Sequence, residues 1–297
     1  MPTKRFHTDR AHPYIKSSCN APKTVRTPDG FDIAVYESGC SSGQPILFIH
    51  GYCQSHLAWQ SQVSSTILRQ YRIVTYDLRG HGSSTKSCGK QLYTDPKCWA
   101  GEIHAILSAL HIVHPIIVAW SLGSGIVCDY LTEFGCNSVK AINFVSARFN
   151  SHPATSQYSQ SLRIAMLSPD LYTRITATRK FVRACYDTLP RPDRLETILC
   201  SNMVVPQHVR CAIRSRSKWN WDVIKKIQCP VLLSHGRRDK LANFRSALYA
   251  TSIIPHSVLS LYPRAGHSPF AEYSMRFNRE LANLCEYASA QPSPPKR

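Results

Sequence analysis

Short apolar runs alternate with stretches of helical spacing along most of this chain. Thr24–Thr27 and Phe31–Glu37 alternate apolar and polar positions on either side of Pro28-Asp29-Gly30, which predicts a β-hairpin. Pro45–Ile49, Tyr71–Tyr76, Pro115–Ala119, Val139–Val145, Val231–Ser234 and Val258–Tyr262 read as strands. Leu57–Leu68, Trp99–Leu110, Leu122–Phe134 and Arg276–Tyr287 read as helices. Strands that alternate with helices imply an α/β fold with a mostly parallel sheet covered on both faces. From Arg148 to about Lys226 the pattern changes to helical spacing without a strand, broken at Pro190 and Pro192. That block predicts a helical cap over the strand ends, where open α/β sheets bind their ligands. The expected division is a basic, disordered tail at 1–23, core at 24–147, cap at 148–226, core again at 227–288, and a Pro-rich tail at 289–297.

The 297 residues are 43% hydrophobic, enough for one large domain with a buried core. No apolar run reaches 18 residues, so no membrane span is expected, and the N-terminus lacks a secretory apolar segment. The expected location is cytoplasmic. Residues 1–26 hold six Lys/Arg and one acid, but without the amphipathic pattern of an organelle-targeting segment. None of the twelve cysteines forms a CxxC pair, so they read as reduced thiols. His111 and His114 lack companion ligands and read as structural, so no metal is expected. The net charge is +18, and residues 148–228 alone hold 14 Lys/Arg and five acids. No nucleic-acid motif accompanies the charge. It reads as a solvated face, and its place in the cap also fits anionic substrates entering past it.

Candidate chemistry sits at three strand ends. The run Ile116–Trp120 stops at Ser121, with Ala119, Gly123 and Gly125 around it and a helical pattern after it. This is the layout of a nucleophile elbow with alanine in place of the first glycine. A serine hydroxyl is a weak nucleophile and needs a base, a group that orients the base, and donors for the oxyanion. Asp239 lies just past the strand Val231–Ser234, and His267 lies past Val258–Tyr262 on a glycine-flanked loop. The strand Val139–Val145 ends in Ser146-Ala147-Arg148 and offers no carboxylate. The N–H groups of Leu122 and Tyr52 are the candidate oxyanion donors. Trp120 and Phe270 are candidate pocket walls. Cys53 reads as a packed core thiol, and Asp77-Leu78-Arg79-Gly80-His81-Gly82 as a rigid loop in which Asp77 and Arg79 bond the backbone.

These motifs, with Trp59-Gln60, His235-Gly236-x-x-Asp239, Ala265-Gly266-His267-Ser268-Pro269-Phe270 and Arg276–Leu281, resemble the α/β-hydrolase superfamily. Within it they resemble the branch of cofactor-free haloperoxidase-like esterases. The resemblance covers residues 24–147 and 227–287, and Ser124 stands where many members have glycine. It implies Ser121, Asp239 and His267 as the triad, Tyr52 and Leu122 as oxyanion donors, and neither metal nor haem. Serine as nucleophile argues against the dehalogenase and epoxide hydrolase branches, which use aspartate. The expected reaction is hydrolysis of a small to medium ester, or related carbonyl substrate, through an acyl-enzyme. Carbon–carbon bond hydrolysis, and a non-catalytic receptor that retains the triad, are the alternatives.

Overall fold

The computed structural model describes residues 21–149, 157–216 and 219–291. Eight strands form one sheet: β1 (Lys23–Arg26), β2 (Asp32–Gly39), β3 (Pro45–Ile49), β4 (Arg72–Tyr76), β5 (Ile116–Trp120), β6 (Ala141–Val145), β7 (Val231–Gly236) and β8 (Ser257–Tyr262). Their order is β1-β2-β4-β3-β5-β6-β7-β8. The β1–β2 and β2–β4 pairings are antiparallel and every other pairing is parallel. Every residue of β5 and β6 is buried, as expected for central strands covered on both faces. Between the central strands Ser234 Oγ donates to Asn143 Oδ1 at 3.0 Å, while Asn143 Nδ2 finds no acceptor among the described residues.

The hairpin and the six later strands lie where the apolar pattern puts them. The helix Leu122–Phe134 has the expected bounds, and Gly135 ends it with a φ of 83°, a conformation glycine adopts freely. The expected helix at Leu57–Leu68 is only a 3₁₀ turn, His56–Trp59, followed by one α-turn, Gln60–Val63. Its continuation fails at Ser64-Ser65-Thr66, where the Ser64 hydroxyl donates to Gln60 O. The helix Arg245–Ile253 has no counterpart in the apolar pattern. Leu248 and Tyr249 point to solvent there and blur the periodicity.

Between β6 and β7 the described residues form four helices, Gln157–Ala165, Leu171–Ala184, Pro192–Met203 and Gln207–Arg214, and a 3₁₀ segment, Trp221–Lys226. Pro192 opens the third of these as its first residue, where the missing N–H costs nothing. β1 already begins at Lys23, and the last helix runs Ser274–Ala290. Most of the expected basic tail, and residues 292–297 of the Pro-rich one, lie outside the described residues. Among the described residues no helix is long and apolar enough to cross a membrane.

Candidate active site

Ser121 stands between the end of β5 and the helix Leu122–Phe134 with φ 54° and ψ −105°. A side-chain-bearing residue in this conformation stores about 1–3 kcal/mol of strain. Neighbours hold it there: Ser121 N donates to Val145 O at 2.9 Å, and Ser124 N to Ser121 O at 3.1 Å. A Cβ at Gly123 would come within 2.7 Å of Ile49 O, so this turn has no room for a side chain. At Ala119 the methyl group is accommodated, fully buried in the core. The hydroxyl of Ser124 turns back to Ala119 O at 2.9 Å, a tie that glycine at 124 lacks.

Asp239 and His267 are brought together across the ends of β7 and β8. His267 Nδ1 is 2.7 Å from Asp239 Oδ2. The other carboxylate oxygen accepts from Leu241 N at 2.8 Å and Ala242 N at 2.9 Å. Burial works against the charge of Asp239, but the imidazoles of His267 and His235 and their hydrogen bonds hold its carboxyl far below the usual range. An ionised carboxylate only accepts, so His267 Nδ1 carries the proton and Nε2 of the neutral ring keeps its lone pair. His235 Nε2 also lies 3.1 Å from Asp239 Oδ2, while its hydrogen bond goes to Ala242 O at 3.2 Å, so a second imidazole stands beside the carboxylate. The spacing His235-x-x-x-Asp239 carries this pairing, but sequence reasoning left the histidine without a role.

Two contacts fix the His267 loop. Trp120 Nε1 donates to His267 O at 2.8 Å. Glu272 Oε1 accepts from Gly266 N at 2.8 Å, and its Oε2 accepts from Asp187 N at 2.9 Å and Thr188 N at 2.8 Å. Glu272 thereby ties this loop to the turn after the helix Leu171–Ala184. On the far side, His50 Nδ1 donates to Gly51 O at 2.9 Å while its Nε2 accepts from Leu78 N at 3.0 Å. His81 Nε2 accepts from Cys53 N at 3.3 Å. Burial pushes both rings down, His50 to about 4 and His81 to about 3, so both stay neutral and keep these acceptors. They clamp the backbone around Tyr52 to the 77–81 loop. Cys53 beside it is fully buried, and burial pushes its thiol up to about 11.

In the 77–81 loop both Asp77 and Arg79 bond the backbone, as expected, and Arg79 makes ion pairs in addition. Asp77 does bond the backbone, accepting from His56 N at 2.7 Å and Ser83 N at 2.9 Å. Arg79 does so too, through Leu92 O and Cys98 O, but it is anchored chiefly by ion pairs with Glu102 at 2.9 Å and Asp29 at 2.7 Å.

Ser121, His267, Tyr52 and Leu122 line one cavity of about 280 Å³, a size suited to a small ligand. Trp120 and Phe270, expected as pocket walls, do not line it. They are buried behind it, with ring centroids 4.9 Å apart and Phe270 4.4 Å from Trp59. Adjacency in sequence to the serine and histidine placed them near the site, but their rings point into the core. The apolar lining comes instead from residues such as Phe181, Ile213, Trp219 and Leu241. Gly125 leaves room for one of them, since a Cβ there would lie 2.3 Å from the Trp219 ring.

Four arginines also line the cavity: Arg148, Arg163, Arg214 and Arg216. Arg216 Nη2 contacts both oxygens of Asp129, at 2.5 and 2.6 Å, and its guanidinium lies 3.6 Å from the Trp219 ring centroid. Burial pushes Asp129 up to about 7 against the pull of Arg216. Sequence reasoning registered the basic charge of this region without finding that it converges on the serine. Among the described residues no group of three or more His, Cys, Asp or Glu side chains is placed to hold a metal ion.

Comparison with known proteins agrees with this architecture. A family model described as alpha/beta hydrolase fold matches residues 44–186. A solved structure from Burkholderia cenocepacia, provisionally assigned as an aryl esterase, is 33% identical with a TM-score of 0.87, covering 91% of this chain and 100% of that one. The esterase RhEst1 from Rhodococcus sp. ECU1013 is 26% identical with a TM-score of 0.82, covering 92% and 100%. A non-heme haloperoxidase from Rhodococcus erythropolis is 23% identical over 279 residues, 88% of this chain and 98% of its own.

Proposed function

Because the chain belongs to the α/β-hydrolase superfamily, in its haloperoxidase-like esterase branch, and is an enzyme of the hydrolase class, we propose that it cleaves carboxylic esters through a Ser121–His267–Asp239 triad. The observation that carries this reading is the Asp239–His267 contact at 2.7 Å, on the same cavity as a serine held at positive φ. Asp239 orients the ring and stabilises the imidazolium that forms. His267 Nε2 takes the Ser121 proton as Oγ attacks the ester carbonyl. Two backbone N–H groups, of Leu122 and Tyr52, receive the oxyanion. Leu122 N is at the start of a helix, where the first N–H groups have no intrahelical acceptor. Collapse of the tetrahedral species expels the alcohol, which takes the proton from His267. Water activated by the same nitrogen then attacks the acyl-serine, and the acid leaves.

Ser121→Ala removes the nucleophile while adding no bulk. Turnover of 4-nitrophenyl acetate is expected to fall to the level of the uncatalysed reaction, with thermal unfolding little changed. Undiminished turnover in a folded Ser121→Ala protein overturns the assignment.

A further inference from the structure

Three guanidinium N–H groups on two of the cavity's arginines have no acceptor among the described residues: Arg163 Nε, Arg216 Nε and Arg216 Nη1. Buried polar groups in native structures nearly always find a partner, so three orphans at one cavity call for a physical reason. Among the described residues no Asp or Glu side chain lines this cavity, while Arg148 and Arg214 add two further cations. Burial, and then the like charge of Arg148 and of Arg214, push the Arg163 guanidinium down to about 10. Such crowding of like charge in a half-enclosed space is relieved when an anion enters. Guanidinium groups match carboxylates in shape and donate to both oxygens, and Arg216 already does so with Asp129. The apolar residues of the lining, among them Phe181, Ile213 and Leu241, suit a short hydrocarbon chain.

We propose that the substrate is a carboxylic ester bearing a second, ionised carboxylate, with Arg163 as the residue that selects for it. Its orphan Nε, with Nε and Nη1 of Arg216, supplies the donors, and the apolar lining residues take the chain between the two carbonyl carbons. This assignment deepens the esterase reading and rests on Ser121 being the nucleophile of the same cavity.

The test uses two isosteric esters of adipic acid, the mono-4-nitrophenyl ester with a free carboxylate and its counterpart with a terminal amide. The wild-type protein is expected to favour the acid ester in kcat/KM by about tenfold to a hundredfold, the scale of hydrogen bonds to a charged group. Arg163→Gln is expected to collapse that ratio, while Arg179→Gln, which removes an equal charge from an exposed site outside the cavity, preserves it. Equal turnover of the two esters by wild type, or a preference that survives Arg163→Gln, overturns the proposal. Calorimetry on the Ser121→Ala protein separates the anion site from catalysis. It is expected to bind adipate at least tenfold more tightly than adipamide. Equal binding of the two defeats the anion site, whereas turnover surviving Ser121→Ala defeats the esterase reading instead.

Discussion

Replacing Asp239 by asparagine changes one atom, yet its consequence follows from four contacts. Oδ1 accepts from Leu241 N and Ala242 N, so an amide at this position must keep its oxygen there. Its NH₂ group is then forced into the place of Oδ2, facing His267 Nδ1 at about the present 2.7 Å and His235 Nε2 at about 3.1 Å. A donor facing Nδ1 makes that nitrogen the acceptor and moves the ring proton to Nε2. The lone pair that should take the Ser121 proton is gone, and so is the carboxylate that stabilises the imidazolium. The expected loss in kcat is about 10³- to 10⁴-fold, a barrier increase of roughly 4–5.5 kcal/mol at 1.36 kcal/mol per decade. Loss of the charged hydrogen bonds is expected to lower unfolding free energy by about 1–3 kcal/mol, leaving a folded protein. Steady-state hydrolysis of 4-nitrophenyl acetate, with circular dichroism as the check on folding, reads both. A folded Asp239→Asn protein within tenfold of the wild-type kcat refutes the tautomer reasoning.

Two further expectations concern the scaffold. Burial opposes the charge of Asp77, but His56 and backbone N–H groups hold its carboxyl down to about 2 against an ordinary value of 3.8. The folded value lies below the unfolded one, so the contribution, about 2 kcal/mol, is fully present above about pH 4 and is lost as the pH falls toward 2. Asp77→Asn is therefore expected to cost stability in urea near neutral pH and progressively less toward about pH 2.5, and an equal cost at both would contradict it. Glu272→Gln keeps the size of the clamp but turns a donor toward at least one of the three N–H groups it holds. It is expected to lower unfolding free energy by roughly 1–3 kcal/mol and to reduce kcat, since the His267 loop loses its tie. An unchanged Tm and kcat would show that the clamp holds nothing.

What the sequence made legible follows from how each signal is encoded. Strands buried on both faces, such as Ile116–Trp120 and Ala141–Val145, leave unbroken apolar runs that the pattern reads directly. The elbow is equally local, because its sharp turn tolerates only small neighbours such as Ala119 and Gly123. The helix Arg245–Ile253 escaped because it exposes two of its apolar residues, and Leu57–Leu68 misled because three hydroxyl residues interrupt an otherwise periodic run. Trp120 and Phe270 were misplaced for a different reason: side-chain direction depends on packing against Trp59, far away in the chain. The four cavity arginines come from separate parts of an insertion that only tertiary folding brings to the serine, so composition registered the charge and not its target. His235 lay in plain view, but its contact with Asp239 depends on the turn after β7.

A nucleophilic Ser121 activated by His267 can be trapped chemically. The most direct measurement is labelling of the full chain with a fluorophosphonate, followed by intact-mass and peptide mass spectrometry. One phosphonyl adduct per chain is expected, on the peptide containing Ser121, absent in Ser121→Ala and strongly slowed in Asp239→Asn. An unlabelled protein, or an adduct on any other residue, contradicts it.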